Sequence, residues 1–327
     1  MCRSNPLKQL VAQFIPLEYP ATDFSGKYVI VTGANGGLGL EAARHFVRLN
    51  AARVILGCRD VAKGEAAKND IELSERRLGV VEVWGVDLAS FDSVAEFCAR
   101  ADKLERLDVL VENAGVATGV YEVCEGYERQ VTVNVLSTFL ITLQLLPTLR
   151  RTTTRFNTLP HIVVVASDAH YYTAFPQRDA PSVFEALRGN DQPTDRYNVT
   201  KLLQVLVVRE LAAEMDKAGA PRVVLNALTP GLCRTDLFRE VPFPVNLLFA
   251  VGLLAIGRTP EMGSRNILKA ATAGEETHGN YIGDCALVPV SSFVRSPEGE
   301  EAQKKVFKEL LFILEKARPG VVENIWH

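Results

Sequence analysis

Tyr197 and Lys201 have the residue types and the spacing of a proton-transfer pair. They lie four positions apart in the stretch Y-N-V-T-K, which places them one turn apart on the same face of a predicted helix. A phenol with a pKa of about 10 is a poor base at neutral pH, and a neighbouring ammonium lowers that pKa because it stabilises the phenolate. The same spacing occurs by chance in many helices, so the interpretation depends on the surrounding elements.

Two further polar residues occupy positions that need an explanation. Ser167 directly follows the apolar run VVVA, where its hydroxyl either holds a substrate oxygen against Tyr197 or caps a turn. Asn134 lies inside a long predicted helix, in V-N-V-L-S, although asparagine is unfavourable in helix interiors. It is therefore either part of the site or a buried core residue with hydrogen-bond partners.

A glycine-rich turn follows the first predicted strand and opens the first predicted helix. Residues 32–39 read TGANGGLG, and the key glycines are Gly33, Gly37 and Gly39. Glycine allows the backbone to approach a pyrophosphate, and the amides at a helix N-terminus supply donors for an anion. The turn lacks the G-K-[ST] sequence of a P-loop, so a dinucleotide is the expected ligand. Asn35 and Leu38 complete the expected contacts of this turn.

The end of the second predicted strand indicates which dinucleotide is preferred. A carboxylate there accepts hydrogen bonds from the ribose 2′-hydroxyl of NAD(H), whereas a 2′-phosphate needs a cation. In VILGCRD the usual place of the acid holds Cys58, and the next residue is Arg59, whose guanidinium can pair with a phosphate. The expected cofactor is therefore NADP(H). The alternative is a solvent-exposed arginine that pairs with Asp60.

Apolar runs and helical patterns alternate along most of the chain. The predicted strands cover residues 28–32, 53–56, 80–86, 107–111, 161–166 and 222–228, and helical segments separate them. The runs are nearly continuous rather than alternating, as expected for strands that are buried on both faces. No linker rich in glycine, serine or proline divides the chain. These features predict a single α/β domain with a doubly wound, Rossmann-like parallel sheet.

Four segments lie outside this repeating pattern. Residues 1–24 form an N-terminal extension whose helical stretch at 6–15 is either a cap on the body of the protein or a membrane anchor. Residues 169–195 read as an insertion rich in Pro, Asp, Gln and Arg, and residues 236–260 are largely apolar. Residues 297–316 have the pattern of a charged amphipathic helix. The domain itself is expected to span residues 25–327.

The glycine spacing T-G-x-x-x-G-x-G resembles that of the classical short-chain dehydrogenase/reductase family. The resemblance extends over residues 25–290 and includes Asp87 in VDLAS and the stretches ENAG and TPGLCRTDL. Those two stretches contribute Asn113, Ala114, Gly115, Pro230, Gly231 and Thr235. Glu112 departs from the family pattern, which usually has asparagine at that position. GCRDVAKGEAA is similar to the retinol-dehydrogenase-like group, and the chain resembles the filamentous-fungal members of that group.

The resemblance implies roles for these residues. Asp87 is expected to meet the adenine, and the 230–235 segment to embrace the nicotinamide end of the cofactor. Ser167 is expected to hold the substrate oxygen while Tyr197 supplies its proton, and Asn134 is expected to bind a water that links Lys201 to solvent. The expected reaction is the interconversion of a carbonyl and an alcohol. The alternatives are a non-redox enzyme of the same fold (a dehydratase, epimerase or cyclase) and a binding protein without turnover.

The resemblance also bears on the substrate and on partners. The family places its substrate lid after the position of Thr235, and residues 236–260 are apolar here, so a small apolar carbonyl or alcohol compound is expected. Many fungal members of the group tailor natural products, which favours a ketoreductase of that kind. The same apolar segment is alternatively a contact surface for a membrane or a second subunit. Family members often form homodimers or homotetramers.

Composition excludes several other classes of protein. The 327 residues carry a net charge of −3, from 36 basic and 39 acidic side chains, without a basic run, so nucleic-acid binding is not expected. The 6 cysteines are scattered and the 5 histidines lack metal-ligand spacing, so neither a metal site nor a disulfide framework is expected. No signal peptide is recognised, and no run approaches the roughly 20 apolar residues of a membrane span. The expected location is therefore cytoplasmic.

Overall fold

A central sheet of eight strands organises the computed structural model, which describes residues 11–189, 195–235, 237, 240, 252–254 and 256–327. The strands are β1 (Tyr28–Thr32), β2 (Arg53–Cys58), β3 (Val81–Gly85), β4 (Val109–Glu112), β7 (His161–Val165), β8 (Val224–Leu228), β9 (Tyr281–Gly283) and β10 (Ala286–Leu287). A separate two-stranded hairpin pairs β5 (Val123–Cys124) with β6 (Tyr127–Glu128).

The strand order is β3-β2-β1-β4-β7-β8-β9-β10, and only β10 runs antiparallel to its neighbour. Val29 of β1 pairs with Val54 of β2 on one side and with Val109 of β4 on the other. The chain therefore winds outward in both directions from β1 and β4, and the carboxyl ends of these strands flank the switch point where such sheets bind ligands. The predicted doubly wound parallel sheet is confirmed, with two short strands at one edge that the sequence analysis did not predict.

Helices cover both faces of this sheet. They are α1 (Gly37–Arg48), α2 (Val61–Glu75), α3 (Phe91–Ala101), α4 (Arg129–Phe156), α5 (Val183–Ala186), α6 (Arg196–Ala218), α7 (Pro260–Ala270) and α8 (Pro297–Ala317). One core contains Phe46 of α1 and Ile267 of α7, while the other contains Phe139 of α4 and Leu206 of α6. Because apolar side chains leave water on both faces, the central strands β4, β7 and β8 are buried throughout, whereas β3 and β10 at the edges of the sheet are partly exposed.

The helix α4 departs from regular geometry where it passes the centre of the molecule. Residues Thr132–Ser137 form a π-helical turn inside it, and every residue of this turn is buried. By length and hydropathy α4 is the one helix among the described residues that could cross a membrane, but 89% of its apolar window is buried inside the protein. It is therefore a core helix, and the π turn is a local distortion of the kind often found at functional sites.

The 169–195 insertion is fastened to the body by side chains from the C-terminal half. Glu309 of α8 accepts hydrogen bonds from the backbone amides of Val183 and Phe184, both at 3.1 Å. At its other end the insertion leads into α6, where the Arg196 guanidinium donates to the carbonyl of Leu187 at 2.9 Å. These contacts fix the start of α6, which carries Tyr197.

Two predicted segments lie largely outside the described residues. Of the helical stretch expected at 6–15, the structure describes residues 11–15 and assigns helix to 11–13. Of the 236–260 segment expected to form a lid, it describes 237, 240, 252–254 and 256–260. The predictions for the remaining positions of both segments are therefore untested.

Candidate active site

Tyr197 and Lys201 lie in the first turns of α6, one turn apart as their spacing predicts. The Lys201 ammonium is 5.6 Å from the centroid of the Tyr197 ring. Its Nζ donates to the carbonyl oxygen of Val165 at 2.8 Å and to Oε1 of Gln204 at 3.0 Å. The lysine is buried, with 4% of its surface exposed, and among the described residues it forms no ion pair. The helix thus carries a desolvated ammonium beside a phenol.

Ser167 stands at the carboxyl end of β7, within hydrogen-bonding reach of Tyr197. Its backbone is extended, and its Oγ accepts a hydrogen bond from the amide of Ala169 at 3.1 Å, which starts a short 3-10 turn. The buried His170 ring holds the serine in place. Its Nδ1 bonds to the Ser167 carbonyl at 2.8 Å, and its Nε2 accepts a hydrogen bond from the Ser291 amide at 3.2 Å. These partners assign a neutral ring with its proton on Nδ1.

Burial dominates the protonation of the two central groups. It raises the pKa of Tyr197 to about 12, and the hydrogen bond with Ser167 acts in the opposite direction. Burial also lowers the pKa of Lys201 to about 7. This differs from the expectation that the ammonium lowers the tyrosine pKa, because Nζ is bonded to Val165 and Gln204 rather than to the phenol oxygen. Tyr197 in this arrangement is a neutral phenol.

Asn134 lies in the π turn of α4 and joins three parts of the site. Its Oδ1 accepts the amide of Val116 at 2.8 Å, and its Nδ2 donates to the Val116 carbonyl at 2.9 Å. The same Nδ2 donates to Thr200 Oγ1 on α6 at 3.1 Å. Its backbone carbonyl accepts a hydrogen bond from Gln204 Nε2 at 2.7 Å. Asn134 is thus a fully bonded buried residue next to the lysine, and the water expected at this residue stays a prediction.

Residues 113–115 brace the glycine turn from the end of β4. Thr32 Oγ1 accepts the amides of Asn113 and Ala114 at 3.0 and 3.1 Å, and Asn113 Nδ2 donates to the Thr32 carbonyl at 2.9 Å. A Cβ on Gly33 would lie 2.9 Å from Ala114 Cα, so this approach requires glycine. The ideal Cβ of Gly115 lies 3.8 Å from Lys201 Nζ. The segment therefore connects the predicted cofactor turn to the predicted catalytic lysine.

The start of α1 has the properties of a phosphate cradle. Its N-cap is Gly36, which supplies no side-chain acceptor to the first amides, whereas Asp60 and Ser90 cap α2 and α3. No heavy atom of the described residues lies within 4 Å of the position of a Gly36 Cβ, so in the described part of the chain the turn is open on that side. The Thr235 side chain lies 3.5 Å from the position of a Gly37 Cβ. Uncapped amides at an open helix start suit the pyrophosphate of a dinucleotide.

Two other residues predicted in the glycine turn lie beside it rather than in the opening. Leu38 packs against α7, since its Cδ2 is 2.7 Å from the position of a Gly263 Cβ. Asn35 is half-buried, and its backbone amide lies beside the Cys58 sulfur. The structure therefore gives Leu38 a packing role and leaves its contact with a cofactor a prediction.

The end of β2 holds no carboxylate that reaches the glycine turn. Cys58 is buried there, and desolvation raises the pKa of its thiol to about 11 although the Ala34 and Asn35 amides act in the opposite direction. Asp60 accepts the amide of Lys63 at 3.1 Å and so serves its own helix. Arg59 is exposed, and none of the described residues forms an ion pair with it. The alternative pairing of Arg59 with Asp60 is therefore absent among the described residues, and the arginine is available to an anion.

Asp87 follows β3 and shapes a turn at the carboxyl end of this strand. Its Oδ1 accepts the amide of Ala89 at 2.9 Å, and its own amide donates to Ser93 Oγ at 3.0 Å. The carboxylate is half-buried, and its second oxygen is left for another donor. This placement is compatible with a contact to adenine, which stays a prediction.

The 230–235 loop, which contains Pro230, Gly231 and Thr235, is held by side chains from distant parts of the chain. The side chain of Gln13 forms two hydrogen bonds with the backbone of Leu232, as a neighbouring strand would. Its Nε2 donates to the Leu232 carbonyl at 2.8 Å, and its Oε1 accepts a hydrogen bond from the Leu232 amide at 3.1 Å. The buried Arg258 donates to the carbonyls of Pro230 at 3.4 Å and Ala12 at 2.6 Å. Arg258 also pairs with Asp284 at 2.9 Å. The N-terminal segment thus packs directly on this loop.

Glu112 replaces the family asparagine with a carboxyl that the fold buries completely. Its Oε2 accepts a hydrogen bond from Thr32 Oγ1 at 3.2 Å, and its Oε1 has no hydrogen-bond partner among the described residues. Burial raises the pKa of Glu112 to about 8, against the opposing effect of the Thr32 hydroxyl. The side chain is therefore protonated at neutral pH, and it lies beside the residue that braces the glycine turn.

Three residues of this site were not identified from the sequence. Gln204 lies one turn beyond Lys201 and His170 lies three residues after Ser167, so helical or turn spacing from the known candidates could have found both. Gln13 lies 219 positions from its partner Leu232 and gives no comparable signal. Within the described ranges, no cluster of three or more His, Cys, Asp or Glu side chains could hold a metal ion.

Comparisons with known proteins agree with this geometry. A family model described as short chain dehydrogenase matches residues 27–175. The chain is 41% identical over 319 residues to the short chain dehydrogenase/reductase dmxR8 of Cryptosporiopsis sp., a match that covers 95% of this chain and 97% of the relative. It is 46% identical over 278 residues to the short chain dehydrogenase atnD of Emericella nidulans, which covers 84% and 88% of the two chains.

Solved structures share the fold at lower identity. A protein of Escherichia coli described as a short chain dehydrogenase complexed with NADPH aligns with a TM-score of 0.58 at 22% identity, over 81% of this chain and 99% of that one. One from Beutenbergia cavernae, described as an NAD(P) dependent gluconate 5-dehydrogenase with bound NADP, aligns with a TM-score of 0.60 at 23% identity, over 80% and 96%. At these identities the likeness is one of fold.

Proposed function

Because the chain belongs to the short-chain dehydrogenase/reductase family, we propose that it is an NADPH-dependent reductase of carbonyl groups in which Tyr197 is the proton donor. The observation that carries the proposal is the convergence of Tyr197, Ser167 and Lys201 next to Gly115, at the carboxyl edge of the sheet beside the glycine turn. Oxidoreductase chemistry is common to the family. The cofactor preference, the direction and the roles of the individual residues are the proposal.

The residues around the cleft fit a nicotinamide dinucleotide. The open, uncapped start of α1 would receive the pyrophosphate, and the 230–235 loop, whose Thr235 lies over Gly37, would border the nicotinamide half. Arg59 would pair with the 2′-phosphate, since Asp60 is bonded to its own helix and Cys58 carries no charge at neutral pH. When bound, NADPH supplies the hydride that reduces the carbonyl carbon.

The chain's own groups handle the oxygen and the proton. Ser167, held by His170, donates a hydrogen bond that fixes the substrate oxygen against Tyr197. A phenol whose pKa is raised to about 12 is protonated at neutral pH, so Tyr197 can give a proton to the developing alkoxide. The Lys201 ammonium, one turn away, has a third N–H that Val165 and Gln204 do not occupy, and through this donor the lysine would stabilise the phenolate that remains. This order of events favours reduction over oxidation.

An apolar substrate is part of the same proposal. Residues 236–260 are rich in Leu, Phe and Val and follow Thr235 directly in the sequence. An apolar segment there would shield a ketone of a natural product from water and would strengthen the electrostatic contacts in the cleft. Because the relatives with 41% and 46% identity are fungal, ketones of fungal natural products are the first class of substrate to test.

The cofactor preference is tested by a consumption assay with a panel of apolar ketones. The protein is expected to oxidise NADPH in preference to NADH. Arg59→Ala is expected to raise the KM for NADPH about tenfold, because a charge-assisted contact with the 2′-phosphate is lost, and to leave the KM for NADH unchanged. Arg155→Ala, which removes an exposed arginine remote from the cleft, is the matched control. A wild-type preference for NADH, or an equal effect of Arg59→Ala on both cofactors, would contradict the assignment.

A further inference from the structure

The side chain of Gln204 bridges the lysine of the site and the helix that carries Asn134. Gln204 lies one turn beyond Lys201 on α6, and 1% of its surface is exposed. Its Oε1 accepts a hydrogen bond from Lys201 Nζ at 3.0 Å, and its Nε2 donates to the backbone carbonyl of Asn134 at 2.7 Å. Both ends of one buried amide are thus used, with the amide orientation set by a cation on one side and a carbonyl on the other.

The bridge limits what the lysine can do. An ammonium has three N–H donors, and two of them are taken by Gln204 and by the Val165 carbonyl. One donor remains for a ligand or for the phenolate. Val165 belongs to β7, and the Asn134 carbonyl that binds Gln204 belongs to α4. The position of the ammonium is therefore fixed relative to both elements that border the site.

We propose that Gln204 is a positioning residue, which holds the Lys201 ammonium in register with Tyr197 by anchoring it to the backbone carbonyl of Asn134. The inference rests on the proposed function, since it assigns Gln204 a part in that reaction. The helix α4 therefore holds Lys201 through the side-chain amide of Gln204. The π turn of α4 matters because it presents the Asn134 carbonyl to α6.

The surroundings of Lys201 make this contact important for its charge. The titratable group that faces the ammonium is Tyr197 on its own helix. The other elements packed against it, β7, α4 and the segment after β4, offer backbone carbonyls, the Asn134 amide and Gly115, without a carboxylate among the described residues. Removal of the Gln204 oxygen therefore removes one of the two acceptors that the described part of the chain offers to this buried cation.

Opposite substitutions separate positioning from simple packing. Gln204→Leu keeps the approximate volume but removes the acceptor, so the ammonium is less stable and its pKa falls further. Gln204→Glu keeps the acceptor and adds a negative charge, so the pKa rises. Activity requires the ammonium and is lost as pH rises through that pKa. The alkaline limb of the kcat profile is therefore expected to move about one pH unit down in Gln204→Leu and about one unit up in Gln204→Glu.

At neutral pH, Gln204→Leu is expected to lower kcat about tenfold, as expected for loss of a hydrogen bond to a charged group, with little change in the KM for NADPH. Gln303→Leu is the matched control, because it removes a buried glutamine of α8 that bonds to Glu210 of α6. It is expected to leave the alkaline limb of the kcat profile in place. The melting temperature of each variant checks that it is folded.

A readout without cofactor keeps the inference separate from the proposed function. In protein with ¹³C-labelled lysine, the Cε resonance that disappears in Lys201→Arg is followed with pH. The inference requires the Lys201 titration to move in opposite directions in the Leu and Glu variants. Shifts in the same direction, or none, would overturn it even if wild-type protein oxidises NADPH. A wild-type protein that consumes no NADPH would refute the proposed function while this titration still decides the role of Gln204.

Discussion

The two sides of the cleft are held together by different kinds of contact. On the side of the glycine turn, backbone atoms and short side chains bond at close range: Asn113 Nδ2 reaches the Thr32 carbonyl at 2.9 Å, and Gly33 approaches Ala114 where no Cβ could fit. On the opposite side, long side chains from remote positions hold the 230–235 loop, with Gln13 on Leu232 and Arg258 on Pro230.

The difference teaches where sequence motifs carry their information. A turn that requires glycine and a short polar brace admits few residue types, so its constraint is visible in the sequence itself. A loop held by a glutamine 219 residues away tolerates many solutions, and its constraint is visible only in three dimensions. The glycine side is therefore expected to fail sharply on substitution, and the loop side gradually.

Among the substitutions that compare the two sides of the cleft, the largest effect is expected from Gly39→Ala. A Cβ there would lie 2.5 Å from both Asn113 Nδ2 and the Gly33 carbonyl, so the brace must shift and with it the amides at the start of α1. NADPH binding is expected to weaken by more than about 100-fold, together with a loss of stability of about 1–3 kcal/mol from overpacking. Fluorescence titration with NADPH and thermal melting measure the two effects.

Gly36→Ala is the matched control for that substitution. It lies in the same turn, but its Cβ would meet no heavy atom of the described ranges within 4 Å, and its φ of −178° is open to any residue. Binding within a few-fold of wild type is expected. Equal losses in both variants would show that the turn is not braced in the way described.

An effect on stability rather than on cofactor binding is expected from Glu112→Gln, next to the same brace. Burial raises the pKa of Glu112 from 4.5 to about 8, so between these pH values the folded state keeps a proton that the unfolded state loses. The contribution of this residue to the free energy of unfolding therefore falls as pH rises from 4.5 to 8. The variant is expected to be more stable by about 2–4 kcal/mol at pH 8 and unchanged at pH 4. Denaturant unfolding at both pH values checks this, and a gain that is equal at both would refute it.

The smallest effect is expected on the loop side, from Gln13→Ala. The variant loses the paired hydrogen bonds to Leu232, each worth about 1 kcal/mol, so the loop is held less firmly over the cleft. The KM for NADPH is expected to rise about three- to tenfold, with kcat reduced less than that. Phe14→Ala, at an exposed neighbouring position, serves as the control. A loss as large as that of Gly39→Ala would erase the contrast between the two sides.

The sequence specified the centre of the fold better than its edges. The six strands with continuous apolar runs were predicted, whereas β9 and β10, with three and two residues, are too short to show a pattern. Helix α7 was missed although Thr259 caps it and Pro260 begins it, signals that a closer inspection could have used. The π turn around Asn134 depends on packing against α6 and is not encoded in local spacing.

The candidate site followed the same division. Spacing predicted that Tyr197 and Lys201 share a helix face, and the position of Ser167 after a strand predicted its approach to Tyr197. The direction of the Tyr197 pKa was not predicted, because it depends on how deeply the phenol is buried and on where the Lys201 ammonium finds its acceptors. Burial and long-range hydrogen bonding are tertiary properties, which residue spacing does not report.

The central claim is that the Tyr197 phenol supplies the proton for carbonyl reduction, and its most direct test is Tyr197→Phe. The variant loses one hydroxyl, so NADPH binding and the melting temperature are expected to stay close to wild type. Ketone-dependent NADPH oxidation is expected to fall by about 100- to 10,000-fold, the usual contribution of a general acid. Retention of wild-type turnover by Tyr197→Phe would contradict the account.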